Sequence, residues 1–115
     1  MTSSEGGRIV EKRFMLSMLC DLYGPLLTPS RLNMLRLYCE EDLTLQEIAE
    51  QSDITRQGVS DAIRHAEKQL TEYEEKLGLL ARFQSIQKDA ETCKECVQRG
   101  ENAEAVRILQ KIIDG

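Results

Sequence analysis

The side chains with chemistry to offer are few, and the most conspicuous are two thiols. Cys93 and Cys96 stand two residues apart, the spacing of thiolate metal sites and redox pairs. A closed metal site needs a second pair of ligands, and the chain supplies only Cys20, Cys39 and one histidine, His65. Cys20 and Cys39 lie on the apolar stripes of separate expected helices, where a thiol behaves as a small hydrophobe. No metal or cofactor is therefore expected. His65 follows Arg64 with no acid or nucleophile placed beside it, so it lacks the surroundings of a general base. There is no phosphate loop, no G-x-G-x-x-G and no nucleophile elbow. The sequence reads as that of a noncatalytic protein.

The residues with a recognisable arrangement are those that could bind. The stretch 45–64, LQEIAEQSDITRQGVSDAIR, has the layout of a helix-turn-helix. Ala49 is small where two helices cross, Ile54 is the apolar turn residue, and Val59 and Ile63 anchor the second helix inward. Thr55, Arg56, Gln57, Ser60, Asp61 and Arg64 then fall at the start and on the outer face of that helix, where a helix entering a major groove presents its base-reading side chains. Arg56 suits guanine or a phosphate and Gln57 suits adenine, while Thr55 and the free N–H groups beside it could hold a phosphate. Charge points the other way. Residues 45–71 carry three basic side chains, Arg56, Arg64 and Lys68, against five acidic ones, Glu47, Glu50, Asp53, Asp61 and Glu67. That is a weak footprint for duplex DNA and favours a protein or RNA–protein contact, with duplex recognition as the alternative.

The elements that must position these residues are all helical, because apolar residues recur at helical spacing and no strand-like alternation persists. A first helix is expected from Ile9 to Tyr23 with Val10, Phe14, Met15, Met18, Leu19 and Leu22 on one side, ended by Gly24-Pro25. Thr28 caps a second, with Pro29 at its first position and Leu32, Leu35, Tyr38 and Cys39 as its buried stripe. Thr44 and Glu47 form a capping-box pattern before a short third helix. Thr55 caps a long fourth, in which Val59, Ile63, Ala66, Leu70, Tyr73, Leu77 and Leu80 recur in steps of four and three. Such a heptad seam is the core face of a long helix or the contact between two copies of the chain. Gly78 and the phase slip at Phe83 predict a break between 78 and 83. A fifth helix carries Phe83, Ile86, Ala90, Cys93 and Val97 and stops at Gly100. A sixth carries Ala105, Val106, Leu109, Ile112 and Ile113. The expected division is a helical domain over 1–83, with the helix-turn-helix at 44–64, and a helical extension over 84–115 whose apolar faces need a partner surface.

At 115 residues, with 41% apolar and 30% charged side chains, the chain has room for one domain and an appended helical pair. The absence of tryptophan and the few phenylalanines and tyrosines argue against a platform for stacking single-stranded bases. A formal charge of −5 repels polyphosphate at long range, so any nucleic-acid contact must be a local patch. No run reaches the roughly 20 apolar residues of a membrane span, and the opening MTSSEGGR lacks the apolar stretch of a secretory signal. A cytoplasmic location, no membrane insertion and a homodimer are expected.

Residues 21–80 resemble the YlxM family of small bacterial proteins, encoded beside the signal recognition particle GTPase and its receptor. The resemblance rests on Leu26-Leu27-Thr28, Leu37-Tyr38, Leu45 to Glu50, Thr55-Arg56-Gln57 and Tyr73-Glu74-Glu75-Lys76-Leu77. The family's helix-turn-helix is similar in turn to region 4 of sigma factors. Its recurrent Ser-Arg-Gln-Ala-Val stands here as Thr55-Arg56-Gln57-Gly58-Val59. The resemblance implies a regulatory or adaptor role in the signal recognition particle pathway, through contact with its GTPase or its RNA. A transcriptional regulator that binds DNA through the helix-turn-helix is the alternative.

Overall fold

A computed structural model describes the backbone of residues 2–115 and the side chains of residues 11–115. The described chain is all α-helical: α1 (Thr2–Tyr23), a 3-10 turn (Gly24–Leu26), α2 (Pro29–Cys39), α3 (Leu45–Ser52), α4 (Arg56–Leu77), α5 (Leu79–Gln98) and α6 (Asn102–Asp114). Local chemistry sets most of these boundaries. The Thr28 hydroxyl accepts from the Arg31 N–H at the start of α2, with Pro29 at the first position, where its missing donor costs nothing. Thr44 and Glu47 complete a reciprocal capping box ahead of α3. Gly78 separates α4 from α5 at φ +63°, and Gly100 turns the chain between α5 and α6 at φ +80°, a region glycine enters without steric cost.

The chain forms two compact units, one ending at Leu77 and the other spanning Gly78–Gly115. The border thus falls at the left-handed glycine, ahead of the 83/84 division expected from apolar phase. In the first unit α4 packs against α1, α2 and α3, and its core joins Leu16, Leu19, Cys20 and Tyr23 to Leu35, Ile48, Val59, Ile63, Ala66 and Leu70. The Tyr23 hydroxyl donates to a Glu74 carboxylate oxygen at 2.7 Å, and its ring lies 6.0 Å from that of Tyr73.

This arrangement corrects the expected face of α1. Phe14, Met15 and Leu22 are exposed and Met18 is only half-buried, while the Val10 side chain lies outside the described residues. The inward set is 16, 19, 20 and 23, an equally good helical stripe, and it brings Tyr23 to Tyr73 and Glu74. The heptad seam is also altered. Val59, Ile63, Ala66 and Leu70 are buried inside the unit and Tyr73 is half-buried, whereas Leu77 is 58% exposed and Leu80 belongs to α5, beyond the Gly78 break.

In the second unit α5 and α6 form a hairpin. Its interior holds Cys93, Cys96 and Ala105, with Ile108 packed against them, and Leu80 is buried as well. The expected faces were again offset: Phe83, Ile86, Ala90 and Val97 on α5, and Val106, Leu109 and Ile113 on α6, are exposed. Cys96 and Ile108 take inward places that the large apolar residues were expected to fill. Among the described residues no helix is long and apolar enough to cross a membrane.

Candidate nucleic-acid interface

The turn between α3 and α4 is built residue by residue. The Ile54 N–H donates to the Ala49 carbonyl at 3.2 Å, and Asp53 caps α3 in the left-handed region at φ 56°. This is the position where such turns favour glycine, and aspartate is among the few other residues that tolerate it. Ala49, 5% exposed, leaves room for the close approach of the two helices, but Ile54 is 40% exposed and does not serve as the inward turn residue. Thr55 caps α4: its hydroxyl accepts from the Gly58 N–H at 2.9 Å, and its carbonyl accepts from the Val59 N–H at 3.0 Å. Val59 and Ile63 are buried and fix the rotation of α4 about its axis.

That rotation places Thr55, Arg56, Gln57 and Arg64 on the surface, with Ser60 and Asp61 half-buried. Arg56, Gln57 and Ser60, together with Leu45 from α3, surround an open hollow of about 430 Å³. Arg56 makes no ion pair or side-chain hydrogen bond among the described residues, so its guanidinium is available. The next turn differs. Asp61 accepts from the Gln57 amide at 3.0 Å and pairs with Arg64, so one carboxylate engages two of the candidate reading residues. One turn further, Arg64, His65 and Lys68 border a second open hollow of about 350 Å³. The sequence reading passed over Leu45, His65 and Lys68 as parts of this face. The i, i+1, i+4 spacing of Arg64, His65 and Lys68 was the signal for the latter two.

A family model described as "Putative helix-turn-helix protein, YlxM / p13 like" matches residues 10–110. The chain belongs to this family, UPF0122. Members similar to it include UPF0122 proteins of Desulforamulus reducens (44% identical over 96 residues, 84% of this chain and 82% of that one), Geobacillus kaustophilus (39% over 106 residues; 90% and 96%) and Clostridium acetobutylicum (37% over 112 residues; 91% and 97%). The UPF0122 match extends well past residue 80, where the recognisable motifs end, and takes in α5 and most of α6.

The thiols of this UPF0122 member are buried or, for Cys39, half-buried. Burial pushes the Cys20 thiol to about 11 and the Cys39 thiol to about 12, which keeps both protonated and poorly nucleophilic at neutral pH. The Cys93 thiol donates to the Ala105 carbonyl at 3.5 Å inside the hairpin. Among the described residues no cluster of three or more His, Cys, Asp or Glu could hold a metal ion.

Proposed function

We propose that this chain is a noncatalytic, cytoplasmic regulator that reads duplex DNA with the first two turns of α4. The observation that carries this reading is Arg56: exposed, with no side-chain partner among the described residues, on the first turn of a capped helix, beside Gln57 and Ser60 at an open hollow. An arginine so placed reaches guanine O6 and N7 or a phosphate. Thr55 and the N-terminal N–H groups hold the helix end against the backbone, and Lys68 adds positive charge one turn beyond Arg64. Anisotropy with labelled mixed-sequence duplexes, repeated from low to near-physiological salt, tests it. Arg56→Ala is expected to cost on the order of 1–3 kcal/mol, confined to one base position. Equal loss on every sequence makes Arg56 a phosphate contact, and no saturable duplex binding at low salt defeats the reading.

A second reading is favoured by charge. The acidic majority over residues 45–71, the formal charge of −5 and the neutralisation of Arg64 by Asp61 suit a basic protein partner at least as well as DNA. On that reading the chain is an adaptor in the signal recognition particle pathway, meeting its GTPase or RNA through the same face. Saturable binding to signal recognition particle RNA that requires the GTPase and survives salt supports it. Binding that competes only with particular duplexes removes it.

A further inference from the structure

The α5–α6 hairpin is built with its small side chains inside and its large ones outside. Between the helices lie Cys93, Cys96 and Ala105 with Ile108, while Phe83, Ile86, Val97, Val106, Leu109 and Ile113 are exposed, Phe83 by 58% and Ile113 by 75%. The outward residues form one surface. Cys93 meets Ala105 and Asp89 pairs with Lys111 at 3.4 Å, so the two helices run antiparallel. Each outward residue next to an inward one follows it in sequence: Val97 after Cys96, Val106 after Ala105, Leu109 after Ile108, Ile113 after Ile112. One residue turns a helix by about 100°. The same turn about two opposed axes brings both stripes to the same side of the hairpin.

We infer that this face is where a second copy of the chain docks, two hairpins closing into a four-helix bundle. Spacing, area and core size support that occupant. Positions 83, 86 and 90 on α5, with Val97 one heptad beyond Ala90, and 106, 109 and 113 on α6 follow steps of three and four, the pattern that packs against another nearly aligned helix. The exposed fractions amount to apolar surface on the order of 600 Å², at the upper end for a monomer. With a polar border this approaches the roughly 800 Å² per partner of a stable interface. A two-helix unit with so small an interior falls in the size range where oligomerisation supplies the missing core. The border is polar: Gln87, Lys94 and Gln110 flank the face, and an Asp114 carboxylate oxygen accepts from the Gln110 amide at 2.9 Å.

Sedimentation of the full chain at micromolar concentration decides it, independently of what α4 binds. The wild type is expected at twice its 13.1 kDa chain mass. Leu109→Glu, at a half-exposed site that tolerates a charge in the monomer, is expected at the single-chain mass with unchanged helical circular dichroism. Phe83→Glu should behave alike, whereas Phe14→Glu, on the exposed side of α1, should leave the dimer intact. A monomeric wild type, a dimeric Leu109→Glu or a dimer lost through Phe14→Glu overturns the assignment.

Discussion

The first turn of α4 is held by two atoms of Thr55, its hydroxyl and its carbonyl oxygens. A Cβ at position 58 would stand 3.2 Å from the Thr55 hydroxyl oxygen, which is close but meets an exposed side chain free to shift by a few tenths of an ångström. Against that small cost stands the gain in helix propensity, so Gly58→Ala is expected to stabilise the protein by about 0.5–1 kcal/mol. Thermal unfolding measures it. A lower melting temperature would show that the cap cannot yield and that glycine is required for the Thr55–Gly58 hydrogen bond. At this scale the sequence was informative: Thr28, Thr44 and Thr55 each accept the backbone bond their spacing predicts. The network of Asp61 with Gln57 and Arg64 was not foreseen. Three residues on one helix can meet in several rotamer combinations, and the sequence does not say which is adopted.

Among the elements, α4 does most to hold the first unit together. Its buried side chains Val59, Ile63, Ala66 and Leu70 meet α1, α2 and α3, while Leu77 at its end is exposed. Leu70→Glu is therefore expected to unfold this unit, since a fully buried carboxylate without a partner costs at least about 3 kcal/mol. Leu77→Glu should shift stability by no more than about 0.5 kcal/mol. Chemical denaturation of the two variants separates them, and equal losses would mean that the seam continues past its exposed end. The heptad pattern alone predicted both leucines alike. What distinguishes them is the surface opposite, which a pattern along one helix does not contain. The same holds on α1, where residues 15, 18, 19 and 22 compete with 16, 19, 20 and 23 as the inward stripe, and Tyr23 gains its Glu74 hydrogen bond only in the second arrangement.

For the whole molecule, the division at Gly78 separates a helix-turn-helix unit with a continuous core from a hairpin with a small one. If the hairpin completes its core with a second copy, its stability follows mass action. The melting temperature of the wild type should rise with protein concentration, and that of Leu109→Glu should not. Melting curves that superimpose across a hundredfold range of wild-type concentration would count against self-association at this face.

The sequence by itself determined the all-helical class, the capped starts of α2, α3 and α4, the breaks at Gly78 and Gly100 and the position of the helix-turn-helix. These follow from hydrogen bonds and backbone preferences that act within a few residues. Only the tertiary structure decided which stripe of α1, α5 and α6 turns inward, where the α4 seam stops being buried and which candidate contact residues are already engaged. Helices that are apolar on more than one side satisfy the same periodicity in several rotations, and the choice among them belongs to the surfaces they meet.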